Sequence, residues 1–149
     1  MREQENFKRP DRTRFEQGLA KIAQVDGKAG EEVVSHLGEL GRYIVEFSFG
    51  DIYSRQGLSL RDRQIATVAM LTALGGREPQ LRLHLGAALN VGLSPQEIEE
   101  IIIHTVSYAG FPTAINAMHL FQKVLAETTQ TTASAEGTGQ AVAEPLAGK

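Results

Sequence analysis

The 149-residue sequence contains no cysteine. Disulfides, thiolate metal sites, thiol nucleophiles and redox pairs are therefore excluded. Metal-ligand spacing is missing too, since His36, His84, His104 and His119 form neither an HxxH nor an HExxH pattern. Long apolar runs are absent. Stretches such as residues 101–103 fall far short of the roughly 20 residues that a spanning helix needs. There is no basic excess, and a net charge of -3 with a pI of about 5.8 argues against nucleic acid as a partner. Residues 1–14 are charged and offer no apolar stretch for a signal peptide, so a cytoplasmic location is expected. No serine elbow, phosphate loop or dinucleotide fingerprint occurs. Chemistry is left to His, Asp, Glu, Arg, Tyr, Ser, Thr and the backbone.

What is present is helical periodicity. An apolar share of 42 % is ordinary for a soluble globular chain. Three parts are expected: a polar arm over 1–14, a helical domain over 15–127, and a tail over 128–149. The tail is rich in Thr, Ala, Ser, Gly and Gln and is read as disordered, because it lacks the apolar residues to offset its ordering entropy. A short helix is predicted over 15–25, with Leu19, Ile22 and Ala23 on one face and a break at Gly27 and Lys28. A longer helix follows over 29–49, where Val33, Leu37, Leu40, Ile44 and Phe47 recur at three- and four-residue steps. Residues 49–57 read as a connection. Ser59 then caps a helix whose body, 65–74, is apolar on most sides and so is expected to be buried on more than one face. Gly75 and Gly76 end it. Pro79 opens the next helix, and Gly92 closes that one. Ser94, Pro95 and Glu97 form a capping box with proline in the first turn, the clearest start signal in the chain. Its stripe is Ile98, Ile101, Ile102 and Val106. After Gly110 and Pro112, a last helix is predicted over 113–126 with Ile115, Met118, Phe121 and Leu125 inward. The fold class is all-α, a compact bundle of about six helices.

The run LRLHLGAALNVGL at 81–93, followed by SPQEIEEIIIHTVSYAGFPTAINA at 94–117, resembles the carboxymuconolactone decarboxylase family. The matching positions are His84, Ala88, Asn90, Gly92, Ser94, Glu97, Tyr108, Gly110, Pro112, Ala114, Asn116 and Ala117. FGDIYSRQGLSLRDR at 49–63 resembles the segment leading into the family's central helix. The likeness covers roughly 15–127, and so many positions in order make it specific. One branch of the family carries a Cys-x-x-Cys pair and reduces disulfides. The corresponding stretch here, 77–80, has no thiols, and the glutamate that accompanies them is matched most nearly by Gln64. The resemblance therefore implies the decarboxylase branch, with no cofactor. The substrate implied is a small-molecule lactone carboxylate such as 4-carboxymuconolactone, in aromatic-compound catabolism by the β-ketoadipate pathway. It also implies a homo-oligomer, a hexamer built as a trimer of dimers.

Loss of carbon dioxide from such a substrate leaves electrons that the conjugated butenolide takes up as an oxyfuran-type anion. The protein must supply cations for a dianion, donors for the developing oxyanion, and a proton for the ring. His84 on its own reads as a helix-flank histidine bonded to a neighbour; the resemblance makes it the acid or the oxyanion donor. Arg63 is the expected carboxylate fork, against the alternative of a solvated charge or an ion pair with Asp62. Arg55 and Arg77 are candidates of the same kind. Tyr108 is a candidate donor to substrate or a helix cap. Gly110 and Pro112 are expected to shape a turn that exposes backbone N–H groups, with Asn116 near it or ordering it. Asp51 reads as a cap or an Arg55 partner, and His104 as a packed or interface histidine. Two other readings stay open: a tailoring enzyme on a larger lactone or polyketide-like acid, and a noncatalytic ligand-binding oligomer.

Overall fold

A computed structural model describes residues 13–137, with side chains described through residue 130 except at residue 28. The expected arm before Thr13 and the end of the tail, 138–149, lie outside the described residues. All regular structure within them is helical. Helix α1 (Arg14–Asp26) starts at Thr13 with a capping box to Glu16 and ends at Gly27, whose φ of 61° suits glycine. Helix α2 (Lys28–Ser35) and the short α3 (Glu39–Tyr43) follow. A π-helical segment spans Ile44–Tyr53. Then come α4 (Leu60–Leu74), α5 (Glu78–Asn90), α6 (Pro95–Ala109) and α7 (Phe111–Gly137).

The single helix expected over 29–49 is thus three pieces. Gly38 at φ 57° breaks it, since an L side chain is strained there. The expected connection at 49–57 is largely the π segment, which runs on to Tyr53 and closes where Ser54 Oγ donates to Phe49 O at 2.7 Å. Two glycines explain how this segment lies so close to α1. A Cβ on Gly18 would collide with Val45 O, and one on Gly50 would sit 2.6 Å from Arg14 O. An Arg14–Asp51 ion pair closes the same contact, which corrects the expected pairing of Asp51 with Arg55.

The core is made by α4 to α7. Val68, Leu81, Leu85, Ala88, Leu93, Ile98, Ile102 and Phe121 belong to one buried cluster. The capping box at Ser94 forms as predicted, and Ile98 and Ile102 are the deepest residues of its stripe. Two expectations are corrected. On α7 the buried row is Ala114, Ala117, Phe121 and Val124; Met118 and Leu125 pack against the core as expected, while Ile115 is exposed. The close-packed small residues take the core face, and the helix starts two residues earlier than expected. It also runs past 126 to Gly137, because Ala, Thr, Gln and Glu do not stop a helix as Gly or Pro would. On α4 only one row, Gln64, Val68 and Thr72, is buried within the chain, and Met70 and Leu74 stand out at 58 % and 68 % exposure. No helix among the described residues is long and apolar enough to cross a membrane.

Asp26, at the C-terminal end of α1, has a buried Oδ2 without a hydrogen-bond partner, and burial raises its pKa from the ordinary 3.8 to about 6. The folded chain therefore binds more protons than the unfolded chain between those values, so this group's contribution to stability falls as pH rises from about 4 to about 6. Asp26→Asn is expected to raise the melting temperature at pH 8 and leave it nearly unchanged at pH 4. A variant melting no higher than the parent at pH 8 would show that the carboxylate is relieved by water.

Candidate active site

Two polar side chains interrupt the buried row of α4, and one of them begins a chain of contacts. Gln64 is fully buried, and its Oε1 lies 3.1 Å from Nδ1 of His84 on α5. Its Nε2 donates to Tyr53 Oη at 3.3 Å. Tyr53 Oη lies 3.0 Å from Thr67 Oγ1, and Thr67 Oγ1 donates to the Arg63 carbonyl at 2.8 Å. Gln64 and Thr67 are three apart on α4 and so share a face. Tyr53 reaches them as the last residue of the π segment, with its ring 4.9 Å from that of Phe49. The π segment, α4 and α5 are thus linked through Gln64.

Arg63 lies alongside. Its guanidinium carbon is 5.9 Å from the centre of the Tyr53 ring, and Nη2 donates to Arg55 O at 3.1 Å. Its Nε is buried with no hydrogen-bond partner. Among the described residues Arg63 makes no ion pair, whereas Arg14, Arg42, Arg61 and Arg82 do. The expected alternative of an Arg63–Asp62 pair is not realised, because Asp62 accepts from the N-cap Ser59 through both its backbone N–H and its hydroxyl. A partly buried guanidinium with an unsatisfied donor, close to a tyrosine ring, is an arrangement that favours an anion.

Burial lowers the pKa of His84 below the usual 6.5, so the free protein holds it neutral at pH 7. A bound carboxylate would favour the protonated ring, so substrate and proton would enter the site together.

The structure groups the expected residues unevenly. His84 and Arg63 join this region, and Arg55 joins it through its carbonyl. Arg77 is exposed at the start of α5, where its Nη1 donates to the adjacent Gly76 O. Tyr108 is 84 % exposed near the end of α6, with its ring 5.7 Å from that of His104. Gly110, at φ 83°, ends α6 by donating its N–H to Val106 O, and Pro112 and Asn116 lie exposed on the first turns of α7. None of these contacts joins them to the His84 chain. Sequence reasoning named Gln64 only as a departure from a glutamate and did not name Tyr53 or Thr67. A glutamine in the buried row of an apolar helix was the available signal, since such a group must find a partner. Two surface grooves, of about 600 Å³ between α4 and α6 beside Glu100 and His104, and of about 410 Å³ beside Phe15, Glu31 and Arg42, are not lined by His84, Gln64 or Arg63.

Residues 38–123, from Gly38 into α7, match the Carboxymuconolactone decarboxylase family. The chain is 37 % identical over 119 residues to a 4-carboxymuconolactone decarboxylase of Acinetobacter baylyi, covering 76 % of this chain and 88 % of that protein. It is 32 % identical over 84 residues to a nitrosuccinic acid decarboxylase of Metarhizium robertsii, covering 55 % of this chain and 57 % of the other. An uncharacterised protein of Paracoccus denitrificans is 34 % identical over 85 residues, covering 56 % of this chain and 63 % of its own length.

Proposed function

The chain belongs to the carboxymuconolactone decarboxylase family, and from that premise we propose that it is a carboxy-lyase acting on a small dianionic acid, with 4-carboxymuconolactone the leading substrate. The observation that carries the reading is the partly buried guanidinium of Arg63, without an ion-pair partner among the described residues, over the ring of Tyr53, whose hydroxyl bonds the amide that holds the neutral His84. Arg63 holds a substrate carboxylate. The ring carbon loses its carboxyl group as carbon dioxide, and the bonding electrons pass into the conjugated lactone. His84 then delivers a proton to the ring. The substrate is its own electron sink, so the reaction calls for no metal, flavin or nicotinamide.

A second substrate is favoured by the fungal relative, whose name specifies nitrosuccinic acid. That acid also has two carboxylates, and its nitro group can take up the electrons as a nitronate. The shared demand is a carboxylate on a carbon next to a built-in acceptor. Incubating the purified protein with each acid and following carbon dioxide release separates the two, and release from neither would remove the decarboxylase reading.

We further propose a homo-oligomer, a hexamer arranged as a trimer of dimers. Support comes from apolar side chains exposed in groups. Val33, Leu37, Leu40, Tyr43 and Phe47 stand out along α2, α3 and the π segment, and Met70, Leu74, Ile103 and Phe111 along α4, α6 and α7. Monomers of this size rarely leave so much apolar area open to water. Native mass spectrometry at micromolar concentration is expected to give six copies; a monomer would overturn the proposal.

A further inference from the structure

We infer that Gln64 is a positioning residue that holds His84 as its Nδ1–H tautomer and so leaves Nε2 as the single ring atom able to exchange a proton with substrate. The inference rests on the decarboxylase reading for its use, but its geometry stands independently.

The hydroxyl and amide protons along the chain fix its direction. A threonine hydroxyl has one, and Thr67 gives it to the Arg63 carbonyl at 2.8 Å. That carbonyl belongs to the helix backbone and can only accept. Thr67 Oγ1 must then accept from Tyr53 at 3.0 Å, which commits the single phenolic proton. Tyr53 Oη must in turn accept, and Gln64 Nε2 is its donor at 3.3 Å. The amide is thereby oriented with Oε1 toward His84, and the ring nitrogen 3.1 Å away has to carry hydrogen. Turning the amide over fails. Tyr53 would have to donate to Oε1 and Thr67 to Tyr53, leaving two oxygens without a proton between them at the Arg63 carbonyl. One arrangement satisfies all four contacts, and a fixed backbone acceptor sets its direction.

The consequence for the reaction is specific. The neutral Nε2–H tautomer would point the bare Nδ1 at the lone pairs of Oε1, and is excluded. The imidazolium is not excluded, since Nδ1–H is present in both allowed states. Decarboxylation breaks the bond from ring carbon to carboxyl carbon, and the electron pair moves through the ring to the lactone carbonyl oxygen. The resulting oxyfuran anion returns that pair to form a C–H bond with the proton on Nε2. His84 becomes neutral and regains one proton from solvent, which balances the single proton consumed per carbon dioxide released. Gln64 accepts the same hydrogen bond before and after, so no side chain has to reorganise as the proton moves.

The test uses the free full-length protein labelled with 15N-histidine, in long-range proton–nitrogen spectra above the His84 pKa. Wild-type His84 is expected to show one tautomer, protonated at Nδ1. Tyr53→Phe removes the acceptor that orients the amide and is expected to shift the tautomer ratio by roughly tenfold, the scale of one lost hydrogen bond. Gln64→Leu is expected to abolish the preference. On substrate, both variants should lower kcat with little change in KM, and should do so without loss of helix content. Wild-type His84 protonated at Nε2 would overturn the inference, as would an unchanged ratio in Tyr53→Phe, the milder variant if Gln64→Leu does not fold. The spectra need no substrate, so failure of the decarboxylase reading would leave this result distinguishable.

Discussion

His84→Gln is expected to lower turnover on the lactone by about 100-fold or more, the usual scale for a lost general acid. Glutamine keeps a polar group at the position but carries no proton that exchanges near neutrality. The fold should persist, because the buried neighbours on the same helix, Leu81 and Leu85, are untouched. The pH profile gives the expectation a sign. With the imidazolium as the proposed donor, wild-type kcat/KM should fall as pH rises through the His84 pKa, which burial places below 6.5 in the free protein. That limb should vanish in the variant. Reaction in deuterated water adds a stereochemical reading: the wild type should label one face of the ring, and the variant should lose that preference as solvent protonates a released anion. Wild-type turnover with unchanged facial selectivity would take His84 out of the mechanism.

The second large effect falls on Arg63. Arg63→Ala is expected to reduce kcat/KM by about 10- to 100-fold, since hydrogen bonds to charged groups contribute roughly 1.5–3 kcal/mol. Arg63→Lys should retain much of kcat and chiefly raise KM, because the ammonium keeps the charge but lacks the fork. Steady-state kinetics on both variants checks the division. Equal loss in kcat for Lys and Ala would mean that the fork matters in the transition state and not in holding the ground-state dianion. His84 and Arg63 are thus expected to move different kinetic parameters, which guards against reading a general loss of structure as a catalytic effect.

Much of the fold could be read from the sequence where local chemistry decides the outcome. The Ser59 and Ser94 capping boxes form at their expected places because the side chains involved are three residues apart and need nothing else. The π segment could not be read that way. Its apolar spacing resembles an ordinary helix, and its course depends on α1 approaching through Gly18 and Gly50, two distant glycines. The inward row of α7 was shifted for a related reason. Ala114 and Ala117 carry little hydrophobic weight in a periodicity argument, yet their small size admits close packing. At the site, family resemblance pointed to His84, and the fit of a guanidinium fork to a carboxylate pointed to Arg63. The residues that link them to the rest, Tyr53 and Thr67, emerged only from tertiary contact, since an i-to-i+14 pairing between segments of different helical type has no sequence signature. Tyr108 shows the converse: its place in a sequence pattern gave it prominence that its 84 % exposure, away from the His84 chain, does not support within one chain.

The chain has three tyrosines and no tryptophan, so its intrinsic ultraviolet emission comes mainly from phenols. Tyr43 and Tyr108 are exposed at 53 % and 84 %, while Tyr53 is partly buried with its hydroxyl held between Gln64 and Thr67 and with Arg63 near its ring. The three fluorophores are therefore unequal, and only Tyr53 adjoins the candidate site. A phenol whose proton is already committed to a hydrogen bond should emit differently from one in water, and an anion settling on Arg63 changes the field across that ring. Difference emission between the wild type and Tyr53→Phe isolates one chromophore without any attached dye. The hydroxyl proposed to orient the amide is thus expected to report optically on what arrives beside it.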